Sequence, residues 1–187
     1  MTRIYLGVGT NTRREHHLHR GLDALQQLLG PLQLSPVFES DAVGILGARF
    51  YNLVVAADTP LPLADLNSAL KAIEAACGRR EQKVPGRITL DIDILLYGEL
   101  SGCHGGVQLP RPEINHNAFV LWPLTLLAPE LVLPGTDTSC AALWQGWRGQ
   151  QKVWPVAFDW HGQSLTPALL LRQYPAQSSP APGSGAA

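Results

Sequence analysis

Short β-rich apolar runs and two leucine stripes follow one another in the order β-α-β-β-α-β. That order predicts an α+β, ferredoxin-like core, two helices on one face of an antiparallel sheet, followed by C-terminal additions. Three observations carry the prediction. The runs RIYLGV and FYNLVVAA are bounded by turn residues, the stripes between them keep the helical repeat, and 187 residues is the length of one domain.

Each element has its own signal. Residues 3–8 (RIYLGV) form a buried strand, closed by the turn residues Gly9, Thr10 and Asn11. Leu18, Leu22, Leu25 and Leu29 lie on one face of a helix that Gly30-Pro31 ends. Residues 32–40 alternate weakly, and Pro36 marks a kink or a sheet edge. Residues 41–49, with Gly44 and Gly47, read as a loop before a strand at 50–57. Pro60 and Pro62 precede a second helix with Leu63, Leu66, Leu70 and Ile73 on its inner face, and Gly78 suits its C-terminal end. A charged loop, 79–87, closes at Pro85-Gly86 and leads into a strand at 88–97 (ITLDIDILLY). Residues 98–106 are glycine-rich and turn-like, and a short helix at 117–127 is interrupted by Pro123. Beyond it, 139–147 reads as a short helix and 154–160 as a strand or covering loop. Four of the five Trp lie between Trp144 and Trp160, so this region is expected to pack onto the domain. Residues 1–174 are thus one domain, and 175–187, without apolar bulk, are expected to be a disordered tail.

Composition narrows the function. Fourteen Lys and Arg against fifteen Asp and Glu give a net charge of −1, which argues against a nucleic-acid partner. Three scattered Cys make neither a disulfide framework nor a zinc site. No apolar stretch reaches the ~18 residues that span a bilayer, so no membrane partner is expected. The N-terminus reads as a strand rather than a signal peptide, and a cytoplasmic monomer is expected. His16, His17 and His19 are expected to be solvated. Walker A, GxGxxG and GxSxG motifs are missing.

The sharpest chemical feature is Asp91-Ile92-Asp93. Residues two apart in a strand share a face, so the two carboxylates project together. Like charges near a core need compensation, and Mg²⁺, a hard cation bound by carboxylates plus phosphate oxygens, supplies it. The basic loop with Arg79, Arg80, Lys83 and Arg87 precedes the pair, as phosphoryl transfer requires. A solvated acidic strand and an exposed basic loop are the plainer readings of each feature alone. Lys71 and Glu74 are a helix pair or the rim of a site. Phe50 and Phe119 are core aromatics or ring-stacking groups. Asn52, in an apolar strand, needs partners that a ligand's ring nitrogens could provide.

Gly9-Thr10-Asn11, Phe50-Tyr51-Asn52, Gly78-Arg79, the TLDIDIL strand, FVLWPL at 119–124 and APEL at 128–131 occur in this order. Together, over residues 3–134, they resemble the 6-hydroxymethyl-7,8-dihydropterin pyrophosphokinases of the folate pathway. The resemblance implies a ferredoxin-like fold and transfer of pyrophosphate from ATP to the pterin hydroxymethyl group, with release of AMP. It implies that Asp91 and Asp93 hold two Mg²⁺ ions. Phe50 and Phe119 would sandwich the pterin, and Asn52, with groups at Ser40 and Val43, would bind its edge. Lys71 and Glu74 would contact the nucleotide, and Arg79 would assist transfer. The pattern departs from the family at Thr10 (usually Ser), and in a loop one residue shorter that lacks a common Trp. It departs again at Ile88, where the family's Arg shifts to Arg87, and at Arg111 and Asn117, which replace a His and an Arg at the nucleotide clamp. An inactive pterin- or nucleotide-binding homologue is the alternative.

Overall fold

The computed structural model describes residues 1–44, 47–78 and 85–176. Arg79, Arg80 and Lys83 of the basic loop, and tail residues 177–187, lie outside the described residues.

Strand β1 (Thr2–Thr10) sends Ile4, Leu6 and Val8 to one face and Tyr5, Gly7 and Gly9 to the other. Helix α1 (Arg14–Leu29) buries its whole leucine stripe on the first face and stops at Gly30, whose φ of 79° suits glycine. Strands β2 (Gln33–Leu34) and β3 (Val37–Ser40), separated at Pro36, both pair with β4 (Phe50–Thr59). Helix α2 (Leu63–Ala76) buries Leu66 and Leu70 completely, and β5 (Asp91–Tyr97) closes the core. The antiparallel order is β5-β1-β4-β3, so each helix joins two strands with one strand between them. The repeated split βαβ unit produces this order, and the ferredoxin-like expectation holds.

Further elements cover the opposite face. A hairpin, β6 (Gly102–His104) and β7 (Val107–Leu109), replaces the expected turn. Helices α3 (Glu113–His116), α4 (Ala118–Leu127) and α5 (Cys140–Gln145) follow. Val120, Leu121 and Leu124 pack with Tyr5, Val54, Ala56 and Leu95 in a second core. Pro123 lies inside α4 and does not interrupt it. The Trp-rich region does pack onto the domain. It supplies β8 (Val153–Val156), which pairs with β3 at the sheet edge, and a hairpin of β9 (Asp159–Trp160) and β10 (Gln163–Ser164). Trp160 Nε1 donates to Asp23 Oδ1 at 2.9 Å, fastening the hairpin to α1. A last helix, α6 (Ala168–Gln173), was not anticipated.

Two local expectations are corrected. His17 is buried rather than solvated, its ring paired with the Thr12 carbonyl, and the half-buried His19 ring lies 4.9 Å from the Phe158 ring, tilted by 32°. The strand expected from Ile88 begins at Asp91, because Asn11 draws the preceding segment off the ladder. Asn11 N–H donates to the Ile88 carbonyl at 3.0 Å, and its Oδ1 accepts the Ile88 N–H at 2.7 Å. Arg87 therefore belongs to the loop, where strand alternation does not apply.

Candidate active site

Register builds the site. Asp91 pairs with Gly9 and Asp93 with Gly7 across β5 and β1, and Gly9 pairs in turn with Asn52 on β4. All lie on the face away from α1 and α2, while Ile92 and Ile94 enter the leucine core. The two glycines make a floor without side chains. A Cβ at Gly9 would sit 3.3 Å from Asn52 Oδ1 and 3.8 Å from the Phe50 ring.

Over this floor is a cavity of about 250 Å³. Nine predicted residues line it: Ser40, Val43, Phe50, Asn52, Asp91, Asp93, Arg111, Asn117 and Phe119. Asn52 is buried, and its amide donates to Ser40 Oγ at 2.9 Å. Phe119 enters from the first turn of α4, Phe50 from the start of β4, and Val43 from the loop after β3. Lys71, Glu74 and Arg87 do not line this cavity, and Arg79 is outside the described residues.

Glu74 is 3% exposed and lies behind β5. Its Oε1 accepts the N–H of Ile92, the residue between the two aspartates, at 2.7 Å. Lys71 Nζ stands 3.1 Å from both Glu74 oxygens. The pair therefore braces the carboxylate strand from the helix side.

The charges are unevenly compensated. Arg111 Nη2 is 3.1 Å from Asp93 Oδ1, and its Nε is 3.2 Å from Glu113 Oε2. Burial, then repulsion from Asp91, pushes the Asp93 carboxyl up to about 6, against the pull of Arg111 and Lys71. Among the described residues, no three His, Cys, Asp or Glu side chains group to hold a metal ion. The donor set is therefore two hard carboxylates on one face. Such a set fits a cation that completes its shell with water and phosphate oxygens, as Mg²⁺ does.

Sequence reasoning missed Gly7, Gly9, Asp41 and Glu113, which also line the cavity. The glycines had a readable signal: two of them, two apart in an apolar strand, mark a close approach. Asp41 and Glu113 had none, since each is defined by an arginine partner, Arg49 at 2.9 Å and Arg111 at 3.2 Å.

Known proteins resemble this chain. The family model of 7,8-dihydro-6-hydroxymethylpterin-pyrophosphokinase matches residues 5–129. A 2-amino-4-hydroxy-6-hydroxymethyldihydropteridine pyrophosphokinase of Pseudomonas aeruginosa is 40% identical over 141 residues, covering 71% of this chain and 84% of that protein. The protein of the same name from Aquifex aeolicus is 31% identical over 136 residues, covering 72% and 85%. A crystal structure of Plasmodium falciparum HPPK-DHPS with pteroate aligns with a TM-score of 0.63 at 15% identity, a likeness of fold. It covers 78% of this chain, which spans 44% of that longer one.

Proposed function

Since the chain belongs to the 7,8-dihydro-6-hydroxymethylpterin-pyrophosphokinase family, transferring pyrophosphate from ATP to 6-hydroxymethyl-7,8-dihydropterin in folate synthesis, we propose that the cavity over Gly7 and Gly9 is where it does so. The observation that supports this assignment is the single face shared by Asp91, Asp93 and Asn52, with Phe50 and Phe119 at its walls.

The acceptor's flat bicycle lies between Phe50 and Phe119, where stacking on aromatic faces selects shape. Asn52, Ser40 and the main chain near Val43 take its polar edge, which a buried amide can do by both donating and accepting. The glycine floor lets the ring approach the sheet. Asp91 and Asp93 would hold two Mg²⁺ ions, which would supply positive charge against the phosphate oxygens of ATP. The hydroxymethyl oxygen bonds to the β-phosphorus, the bridge to the α-phosphate breaks, AMP leaves, and the hydroxyl proton is released. The acceptor is a neutral alcohol, so positioning and charge stabilisation carry the rate.

Arg111 has the cationic reach to leave Asp93 for a phosphate oxygen once that carboxylate is otherwise neutralised. Asn117 borders the same end of the cavity. Arg79 and Arg87 bring the charge of the basic loop to the transferring group. Lys71, whose charge is felt at Asp93, and Glu74 stand on the nucleotide side behind β5. Residues 1–174 act as one domain. One chain supplies the stacking rings, the buried amide and both carboxylates of the cavity, which supports a monomer, and ATP as co-substrate supports a cytoplasmic enzyme. No described helix is long and apolar enough to cross a membrane.

The test is AMP release from ATP with and without the pterin, and with and without Mg²⁺. AMP that needs both supports the assignment. Full activity after Mg²⁺ is chelated would exclude the carboxylate pair as a cation site.

A further inference from the structure

The family match ends at residue 129, yet both walls of the acceptor cavity are tied to a short stretch well beyond it. On one side is Gln151. Its Oε1 accepts the Ala118 N–H at 2.7 Å, and its Nε2 donates to Asn117 Oδ1 at 3.0 Å and the His116 carbonyl at 3.2 Å. The first N–H groups of a helix have no partner within it, and the Asn117 side chain makes no capping bond. Gln151 therefore caps α4 from outside, next to Phe119.

On the other side is Trp154, only 2% exposed. Strand β8 sets Trp154 opposite Glu39 and Val153 opposite Ser40. Trp154 Nε1 donates to Glu39 Oε2 at 3.0 Å, and the Arg49 guanidinium lies 4.6 Å over its ring. Arg49 Nε in turn donates to Asp41 Oδ1 at 2.9 Å, and the Asp41 N–H donates to the Lys152 carbonyl at 3.3 Å. Asp41 and Arg49, on either side of Val43, are thus both held from residues 152–154.

We propose that residues 151–154 are a positioning brace for the acceptor pocket, with Gln151 holding the Phe119 wall and Trp154 holding the Ser40–Val43 wall. The inference rests on the reading of this cavity as the pterin site. The two anchors are three residues apart on one extended segment, so the distance between the walls is fixed by covalent chain. Stacking contacts weaken steeply with separation, and a slot of fixed width therefore sets acceptor affinity and pose. Of the residues read as nucleotide contacts, Asn117 touches the brace through Gln151, whereas no bond joins Trp154 to any of them among the described residues.

The experiment compares the full chain with Gln151→Ala, Trp154→Phe and Asn52→Ala, and with Gln151→Glu as a graded control. It reads the KM for each substrate, kcat by AMP release, pterin affinity by calorimetry without ATP, and the melting temperature. Trp154→Phe keeps one aromatic ring for Arg49 to lie over but loses the second ring of the indole together with its N–H to Glu39. Gln151→Glu keeps the acceptor for Ala118 and loses both donors, and is expected to fall between Gln151→Ala and the parent. For Gln151→Ala and Trp154→Phe the pterin KM and Kd are expected to rise about tenfold, the scale of one lost buried hydrogen bond. ATP KM is expected to stay within about twofold in Trp154→Phe, whose ring is remote from Asn117. A fall in kcat alone, with both KM values unchanged and a lower melting temperature, would indicate a purely structural strand and overturn the inference. Pterin KM unchanged in the brace variants but raised in Asn52→Ala would overturn the brace and leave the cavity assignment intact. If all three leave it unchanged, the cavity is not the acceptor site and the inference falls with it.

Discussion

Asp93→Asn should inactivate the enzyme and, at neutral pH and above, make the metal-free protein more stable. The carboxyl ionises near 6 in the native state instead of the ordinary 3.8, because burial and then Asp91 oppose its charge more than Arg111 and Lys71 support it. A group whose native pKa is raised contributes stability that is complete below 3.8 and disappears as pH rises through 6. The difference between the two values corresponds to ~3 kcal/mol. Side-chain exposure of about 30% admits water, so the effect should be about 1–2 kcal/mol. The assay is urea denaturation of metal-free protein from pH 4 to pH 8, parent against variant. The parent should lose that amount relative to Asp93→Asn across the interval, with the curves converging at the acid end. Added Mg²⁺ should restore the parent and leave the variant unmoved. A variant less stable than the parent at pH 8, or a difference independent of pH, would refute the account of Asp93 as a carboxylate held in an unfavourable place.

Three other substitutions probe the supports. Asn11→Ala removes the bonds from its amide to the Gly86 carbonyl and from the Ile88 N–H to its Oδ1, both 2.7 Å. It should destabilise by about 2–3 kcal/mol in denaturant titrations and lower kcat, since Arg87 lies between those two contacts. Gly9→Ala places a methyl 3.3 Å from Asn52 Oδ1, so pterin affinity should fall about tenfold by calorimetry while stability changes by less than ~1 kcal/mol. Glu74→Ala strands the Ile92 N–H, whereas Glu74→Gln keeps an acceptor for it. Exchange of the Ile92 amide, followed by NMR, should speed up in the Ala variant and stay slow in the Gln variant, and equal rates in both would remove Glu74 as a brace.

The parts legible in the sequence are those governed by short-range period. Leucines at helical spacing gave α1 and α2, and the element order gave the strand sequence of the sheet. Alternation placed Asp91 and Asp93 on one face, and a polar Asn52 in an apolar strand pointed to the buried amide that is found. The same alternation applied to Gly7 and Gly9 would have revealed the floor. The unread features depend on residues distant in the chain. The start of β5 is set by Asn11, and Arg111 meets Asp93 through a helix entry. Glu74 reaches Ile92 because α2 packs on β5. Strand β8, read only as a strand or covering loop at 154–160, and α6, not read at all, are four and six residues long, too short for a period to show. The interruption expected at Pro123 is not found in α4, since packing of Val120, Leu121 and Leu124 against the sheet holds the helix through it.

The division of β5 between a leucine core and an acidic face has a genetic consequence. An in-frame insertion of one codon just upstream of Asp91 that slid β5 by one residue along β1 would exchange the two faces of the strand. Asp91 and Asp93 would turn into the layer now filled by Ile92 and Ile94, and the isoleucines would face the cavity. Every residue would still be present, yet both folding and activity would fail. The same codon added at the Gly105-Gly106 tip of the β6–β7 hairpin only lengthens an exposed turn. In this chain the severity of a small insertion is therefore set by where it falls relative to strand phase, more than by which amino acid it adds.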